Sequence, residues 1–289
     1  MMDLSDYQAA AQETNLHRGG DPVSFYLHGM TGEVGTLAAE HKKHLRDGAS
    51  HLRFRDKMAE EIGDLLWYMS ALATELGLEL DDIALRNLAK CAARWSEATD
   101  SPHALDADAP PDQQLPRRFT VEFLDDGKHV RVVGDDGEQL GASLDNNAHI
   151  DDGYRYHDVF HLANAAVLGW SPVVRSLMKR KRKYDNEIDS AEDGARAIVT
   201  EEGIVAMLFR HAEQHDLFAG IDHIDSELLR TVQISVTGLE VSIRSQSEWE
   251  SAILQGYEAF RSLRDAGGGA VRCDLDVGTI TATPAPPAS

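Results

Sequence analysis

The sequence predicts a mainly α protein: an all-α N-terminal helical bundle, then a second helical domain that carries a small antiparallel β-sheet. Three observations predict it. Between residues 58 and 76 the apolar positions Met58, Ile62, Leu65, Met69, Leu72 and Leu76 step by four and three, the period of a helix face. The run SPHALDADAPPDQQLP, rich in Pro, Asp and Ala, breaks the helical pattern and reads as a linker. Beyond it Phe119, Val121 and Phe123 alternate with polar residues, as on a half-buried strand.

The elements follow in order. A first helix covers roughly 4–14, and a second about 24–45, closed by Asp47-Gly48. The third is the 58–76 seam, so apolar through GDLLWYMSALA that it should be largely buried, with Gly77 as its stop. The fourth opens with Asp81 and Asp82, which suit the helix dipole, and carries a stripe of Leu85, Leu88, Ala92 and Trp95. Four helices with short turns make a bundle over 1–98, and 99–117 is the linker. Asp126-Gly127 and Asp136-Gly137 punctuate a β-meander at roughly 118–144. Helices are expected at 154–169, 173–184, 191–215, 225–243 and 247–265. Then Val271, Cys273, Leu275 and Val277 alternate like a strand. An isolated strand cannot satisfy its backbone groups, so this one should pair with the meander and make 118–282 one domain. The tail from about 283 to 289 should be disordered.

Composition narrows the function. With 42% hydrophobic residues the chain can build real cores. Its 49 acidic and 28 basic residues leave a net charge of −21, which repels nucleic acid and anionic membrane and argues against both as partners. A nucleotide stays open as a substrate, because a bound divalent cation inverts the local field. The two cysteines, Cys91 and Cys273, form no pairing or zinc pattern and fit a reducing cytosol. The N-terminus has neither a basic start nor an apolar core of a signal peptide, and no apolar run reaches the ~20 residues of a membrane span. A cytoplasmic protein is expected.

The chemistry lies in carboxylates on apolar helices. Glu61 and Asp64, at i and i+3, share a face, and in so apolar a helix two acids repel and lose hydration unless a cation compensates. The preceding helix offers Glu33 and, seven residues on, Glu40; Glu60 precedes Glu61. Carboxylates from two facing helices are the hard ligands that Mg²⁺ takes, with waters left for phosphate. On the fourth helix Asn87, Lys90 and Arg94 lie at i, i+3 and i+7, away from the apolar stripe. Lys and Arg suit phosphate, and Asn can read a sugar or base edge. Trp67 and Tyr68 could stack on a base, although packing is the simpler role for Trp67.

The stretch LHGMTGEVGTLAAEHKKHLRDG, followed by EEIGDLLWYMSALATELGLELDDIALRNLAKCAARW, resembles MazG-like NTP pyrophosphohydrolases over residues 24–95. That family carries ExxE on one helix and ExxD on the next, four acids that hold Mg²⁺ against the substrate's phosphates. Glu33 matches the first Glu, and Glu61 and Asp64 match the second pair. Thr36 stands where the second Glu belongs, so either Glu40 or Glu60 substitutes, or fewer ions bind, or activity is reduced. Asn87 and Lys90 fall on the family's nucleotide-contacting NxxK. The resemblance implies Glu33, Glu61 and Asp64 as catalytic residues and Mg²⁺ as cofactor, with Mn²⁺ as an alternative. It further implies a nucleoside triphosphate or related nucleotide as substrate, a homo-oligomer of two or four chains, and the reaction NTP + H₂O → NMP + PPi.

The second half carries its own polar features. His157-Asp158-Val159-Phe160-His161 puts two histidines at i and i+4 with an acid between them, and Glu201 and Glu202 lie on a later helix. These could form a second metal site, or simply hydrogen-bond within a core. His211 and His215 repeat the i, i+4 spacing, and KRKRK at 179–183 is the densest basic run, read as a solvated helix end that could otherwise draw in triphosphates. Two other functions compete with the enzyme: a weakened nucleotide sensor in which Thr36 has traded turnover for binding, and a dimerisation module.

Overall fold

In the computed structural model, which describes residues 2–17, 19–95, 104–146 and 148–285 (with the backbone alone at 89, 90 and 92–95), the chain divides into units of 1–92 and 93–289. The first unit opens on α1 (Leu4–Glu13), where Asp3 and Asp6 cap the helix reciprocally. Next come α2 (Pro22–Asp47), α3 (Phe54–Glu75) and α4 (Leu80–Trp95). Gln8 ties three of these helices together. Its amide donates to Thr74 Oγ1 (3.0 Å) and the Leu78 carbonyl (2.9 Å) at the end of α3, and its oxygen accepts from the Leu80 N–H (2.8 Å) at the start of α4. α2 and α3 approach closely at Gly29, where a Cβ would lie 2.2 Å from the Tyr68 ring, so any larger residue there requires that ring to move.

α3 departs from the expectation of burial. Its buried residues are Glu61, Ser70, Ala71 and Ala73, while Ile62 (54% exposed), Met69 (43%) and Leu76 (54%) point outward. α1 and α2 pack on this helix, whose most buried residues are small; of the sequence seam, Met58, Leu65 and Leu72 are half-buried and the other three are exposed. Leu85 and Leu88 of the α4 stripe are exposed as well, and the side chains of Ala92 and Trp95 lie outside the described residues.

The second unit is built on a five-stranded antiparallel sheet of order β3-β2-β1-β4-β5: β1 (Arg118–Asp125), β2 (Val130–Gly134), β3 (Gln139–Leu144), β4 (Gly268–Asp274) and β5 (Thr279–Pro284). The C-terminal strand pairs with the meander as the backbone argument requires, with Phe119 opposite Cys273 and Val121 opposite Val271. Two details differ. The strand stops at Asp274, so Val277 is exposed in a turn. The first residues of the expected tail instead end β5, where Thr283 pairs with Ala270 and Pro284 with Gly269, because the edge of β4 would otherwise be unpaired. Residues 286–289 lie outside the described ones.

The helices are α5 (Asp158–Ala163), running into a π-helical turn at 164–168, then α6 (Pro172–Leu177), α7 (Asn186–Ala191), α8 (Ala195–Glu213), α9 (Ser226–Ser235) and α10 (Gln246–Ala266). α10 fills its expected 247–265 span, but α5, α6, α8 and α9 are shorter than the sequence periods suggest, since turns cut into the expected 154–169, 173–184, 191–215 and 225–243 spans. α10 packs on β4, β5 and α5, and the core between sheet and helices holds Phe160, Tyr257, Phe260 and the fully buried pair Trp170 and Trp249. Gly268, at φ +115°, lets the chain leave α10 and pair at once; a Cβ there would meet the Phe123 carbonyl at 2.4 Å.

The basic run is neither a helix end nor solvated throughout. α6 ends at Leu177, Lys179 turns left-handed, and Arg182 is 1% exposed. Its guanidinium binds Asp193 (2.8 Å) and Glu240 (2.6 Å), while the buried Arg175 binds Asp106 (2.7 Å). Asp106, 2% exposed, also accepts from Arg117 and from the Leu115 N–H (2.8 Å). Residues 104–117, expected as linker, therefore pack into the second unit with Leu115 in its core. Burial raises the Asp106 carboxyl, but its three donors outweigh that and hold it below the ordinary carboxylate value.

Asp106→Asn should destabilise the second unit by about 3–5 kcal/mol, because two arginines lose their buried counter-charge. The measurement is the urea midpoint of the full chain at neutral pH. A carboxyl held below its ordinary value contributes stability that is present above pH 3.8 and lost as pH falls through the lowered value. The wild-type midpoint should therefore drop in acid more steeply than that of Asp106→Asn. Equal midpoints at neutral pH would contradict the assigned role.

Candidate metal centre

The hairpin of α2 and α3 positions three acids. Glu33 projects from α2, and Glu61 and Asp64, one helical turn apart, project from α3. One oxygen from each lies within 4.8 Å of the others. Glu61 is buried, Glu33 half-buried and Asp64 exposed, so the group opens to solvent on the Asp64 side. Burial pushes the Glu61 carboxyl up, and so do its hydrogen bond with Glu33 and the negative charges of Glu33, Asp64 and Glu60. Among the described residues no Lys, Arg or His pairs with any of the three. A cluster of hard oxygen donors that carries no internal cation and keeps one side open fits Mg²⁺, which takes a few carboxylates and retains several waters.

The other acids of the sequence pattern lie elsewhere. Glu40 is buried but already neutralised by Lys43 and by His51 at 3.3 Å; the Lys43 hydrogen bond holds its carboxyl below the usual range. Glu60 is exposed and bound to Lys57 at 2.6 Å. Neither is brought into the Glu33 group. Thr36 is exposed, and its hydroxyl donates to the Gly32 carbonyl of its own helix at 3.3 Å. Asn87 is exposed on α4, while the side chains of Lys90 and Arg94 lie outside the described residues. Trp67 donates its indole N–H to Thr14 Oγ1 (2.8 Å) and meets the Tyr26 and Tyr68 rings edge-on, a packing arrangement.

In the second unit, donor atoms of His157, Asp158 and His161 also lie within 4.8 Å of one another. His161 is fully buried, with Glu201 and Glu202 beside it at 3.0 and 3.4 Å. Burial lowers its pKa, but the two carboxylates prevail and push it up to about 10. His211 and His215 stack on each other at 4.4 Å and join no metal-ligating group among the described residues. Sequence reasoning missed the residues that fix Glu201: Asn164, Ser171 and the Val173 N–H. The one available signal was the Ser-Pro pair at 171–172, a helix-start pattern that puts a hydroxyl and free N–H groups in one place.

Comparison with known proteins agrees with the division of the chain. Residues 23–98 match the MazG nucleotide pyrophosphohydrolase domain, and residues 100–286 match the MazG C-terminal domain. The Gene 37 protein of Mycobacterium phage L5 is 35% identical over 101 residues, which cover 32% of this chain and 89% of that protein. No solved structure matches. Among the described residues no helix is long and apolar enough to cross a membrane.

Mg²⁺ should raise the thermal midpoint of the wild-type chain, and Asp64→Asn should raise the metal-free midpoint while abolishing the Mg²⁺ shift. The pH dependence runs opposite to that of Asp106. A carboxyl pushed up on folding contributes stability below pH 4.5 that is lost as pH rises through the raised value. The metal-free bundle should accordingly weaken towards neutral pH, where the Mg²⁺ shift becomes largest. An undiminished shift in Asp64→Asn would rule out the three acids as the binding group.

Proposed function

The chain belongs to the MazG family through both its N-terminal and its C-terminal parts, and on that premise we propose that it is a Mg²⁺-dependent nucleoside triphosphate pyrophosphohydrolase. The observation that carries this reading is the convergence of Glu33, Glu61 and Asp64 without any cation of the chain among them. Mg²⁺ held there supplies charge neutralisation for the polyphosphate and a more acidic bound water. The remaining work falls to the protein. Glu33 and Glu61 anchor the group from two packed helices, and Asp64 faces the solvent from which substrate arrives. Asn87 offers an exposed amide to sugar or base; Lys90 and Arg94, on the same helical face, are the proposed phosphate contacts. Water attacks the α-phosphorus, the bond from that phosphorus to the bridging oxygen breaks, and the leaving pyrophosphate carries away the electron pair: NTP + H₂O → NMP + PPi. Pool cleansing or control of nucleotide signals suits such a reaction.

One observation favours a second reading. Thr36 turns its hydroxyl back onto its own helix and brings no charge to the site, and Glu40 and Glu60 are already paired. A site with three acids binds a cation more weakly than one with four, which suits a nucleotide sensor. The readings differ in whether pyrophosphate leaves.

A homo-oligomer is also part of the proposal. Ile62, Met69 and Leu76 recur every seven residues along α3, an apolar line that monomers rarely leave in water.

Pyrophosphate release across a panel of NTPs and dNTPs with Mg²⁺ tests the enzyme. Turnover should fall by about two orders of magnitude or more in Asp64→Asn, and Thr36→Glu should lower the Mg²⁺ concentration that gives half the maximal rate. Tight nucleotide binding without pyrophosphate would select the sensor. In sedimentation the wild type should run as a dimer or tetramer and Met69→Glu as a smaller species; a monomeric wild type would remove the oligomer from the proposal.

A further inference from the structure

The second unit holds a cluster that the pyrophosphohydrolase reading does not use. We propose that His157, Asp158, His161 and Glu202 form a second cation site, for a divalent transition metal of the Zn²⁺ class, that pins α5 to α8.

The geometry is that of prepared ligands. Nδ1 of His157 lies 2.9 Å from the Tyr154 carbonyl, which only accepts, so Nδ1 carries a proton and Nε2 is the nitrogen left for a metal ion. Nε2 faces the Asp158 carboxylate at 3.5 Å, and the Tyr154 ring lies flat on the imidazole (4.4 Å between centroids, 2° between planes), fixing its orientation. One helical turn on, His161 is fully buried. Its Nδ1 stands 3.0 Å from Glu201 and its Nε2 3.4 Å from Glu202, yet neither contact has hydrogen-bond geometry. Glu201 is itself immobilised by Asn164 (3.1 Å), Ser171 (3.0 Å) and the Val173 N–H (3.0 Å). His161 thus stands between two carboxylates with both ring nitrogens unpartnered, a fully buried polar side chain at the centre of the group.

Asp158 supplies the second, independent observation. It is buried, no hydrogen bond reaches its carboxylate among the described residues, and it borders a small cavity lined by Val132, Leu140 and Leu162. Beside His157 at 3.5 Å it still accepts no hydrogen bond, so its lost hydration is not fully replaced, and an ion bound by it and the two imidazoles would supply the missing contact. Two imidazoles face three carboxylates here, so the cluster accommodates a dication. Two nitrogen donors among four select a Zn²⁺-type ion over Mg²⁺, which the all-oxygen group on α2 and α3 suits instead. Glu202, which meets His161 Nε2 at 3.4 Å from the exposed side, would turn in as the fourth ligand and close a structural site. A tetrahedral ion with ligands at ~2.1 Å holds its donors ~3.4 Å apart. The His157, Asp158 and His161 donors, within 4.8 Å, therefore need only small adjustments.

Metal-stripped full-length chain is titrated with Zn²⁺ in excess Mg²⁺, which keeps the α2/α3 acids occupied. The expected result is one tight Zn²⁺ per chain, weakened roughly 10–100-fold or more in each of His157→Gln and Glu202→Gln and unaffected by His211→Gln. Both test positions retain some solvent exposure, and metal-free circular dichroism identifies a variant that fails to fold, in which case the other is read. Zn²⁺ should also slow amide exchange in α5 and α8 of the wild type but not of the variants. Wild-type affinity in every folded variant, loss caused by His211→Gln, or unchanged exchange in α5 would each overturn the site.

Discussion

A buried carboxylate must be met by a cation or by several N–H and O–H donors, and in a chain with 49 acidic and 28 basic residues cations are scarce. That constraint sorts the acids of this protein into scaffold and site. Asp106 and Asp193 are met by Arg175 and Arg182, and with Glu240 they join the 104–117 segment to the rest of the second unit. Glu201 is met by neutral donors, and Glu40 by Lys43 and His51. Glu61 and Asp158 are the buried acids at which the chain supplies least, and each sits in a group of metal-ligating side chains.

The two groups differ in chemistry. In the first unit the donors are all carboxylates and one of them is exposed, which suits an ion that keeps its waters and meets a polyphosphate. In the second the donors are half imidazole and mostly buried, which suits an ion that stays. Their helices differ to match. α3 leaves Asp64 and a line of large apolar residues in solvent, so an exposed apolar line and the acidic group share one helix. α5 is enclosed between the sheet, α8 and α10, and nearly every residue on it is buried. Membership of the MazG family over both units makes the second a part of the family architecture.

Much was legible in local pattern. Periods of three and four with glycine stops marked α1 to α4 to within a few residues, since a helix and its ends depend on neighbours in sequence. The i, i+3 spacing placed Glu61 and Asp64 on one face for the same reason. Pairing of the 271–277 strand with the meander followed from unsatisfied backbone groups, a demand that holds wherever the partner lies. The acidic pattern and the family resemblance together pointed to Glu33, across a loop from its partners.

Tertiary structure decided what depends on distant neighbours. A basic run looks solvated in sequence, yet Arg182 lies inside because Asp193 and Glu240 are there to receive it. A Pro-rich segment looks like linker, yet Asp106 and Leu115 pack because Arg175 and the sheet offer partners. The α3 seam looks like core, but packing by α1 and α2 leaves Ile62, Met69 and Leu76 in solvent. Residues 283 and 284 look like tail, but the open edge of β4 recruits them. Sequence alone thus determined the helices, the strands' need for partners and the residues capable of holding a cation. Burial and charge pairing are properties of the assembled chain, so only the fold decided which of those residues remain uncompensated.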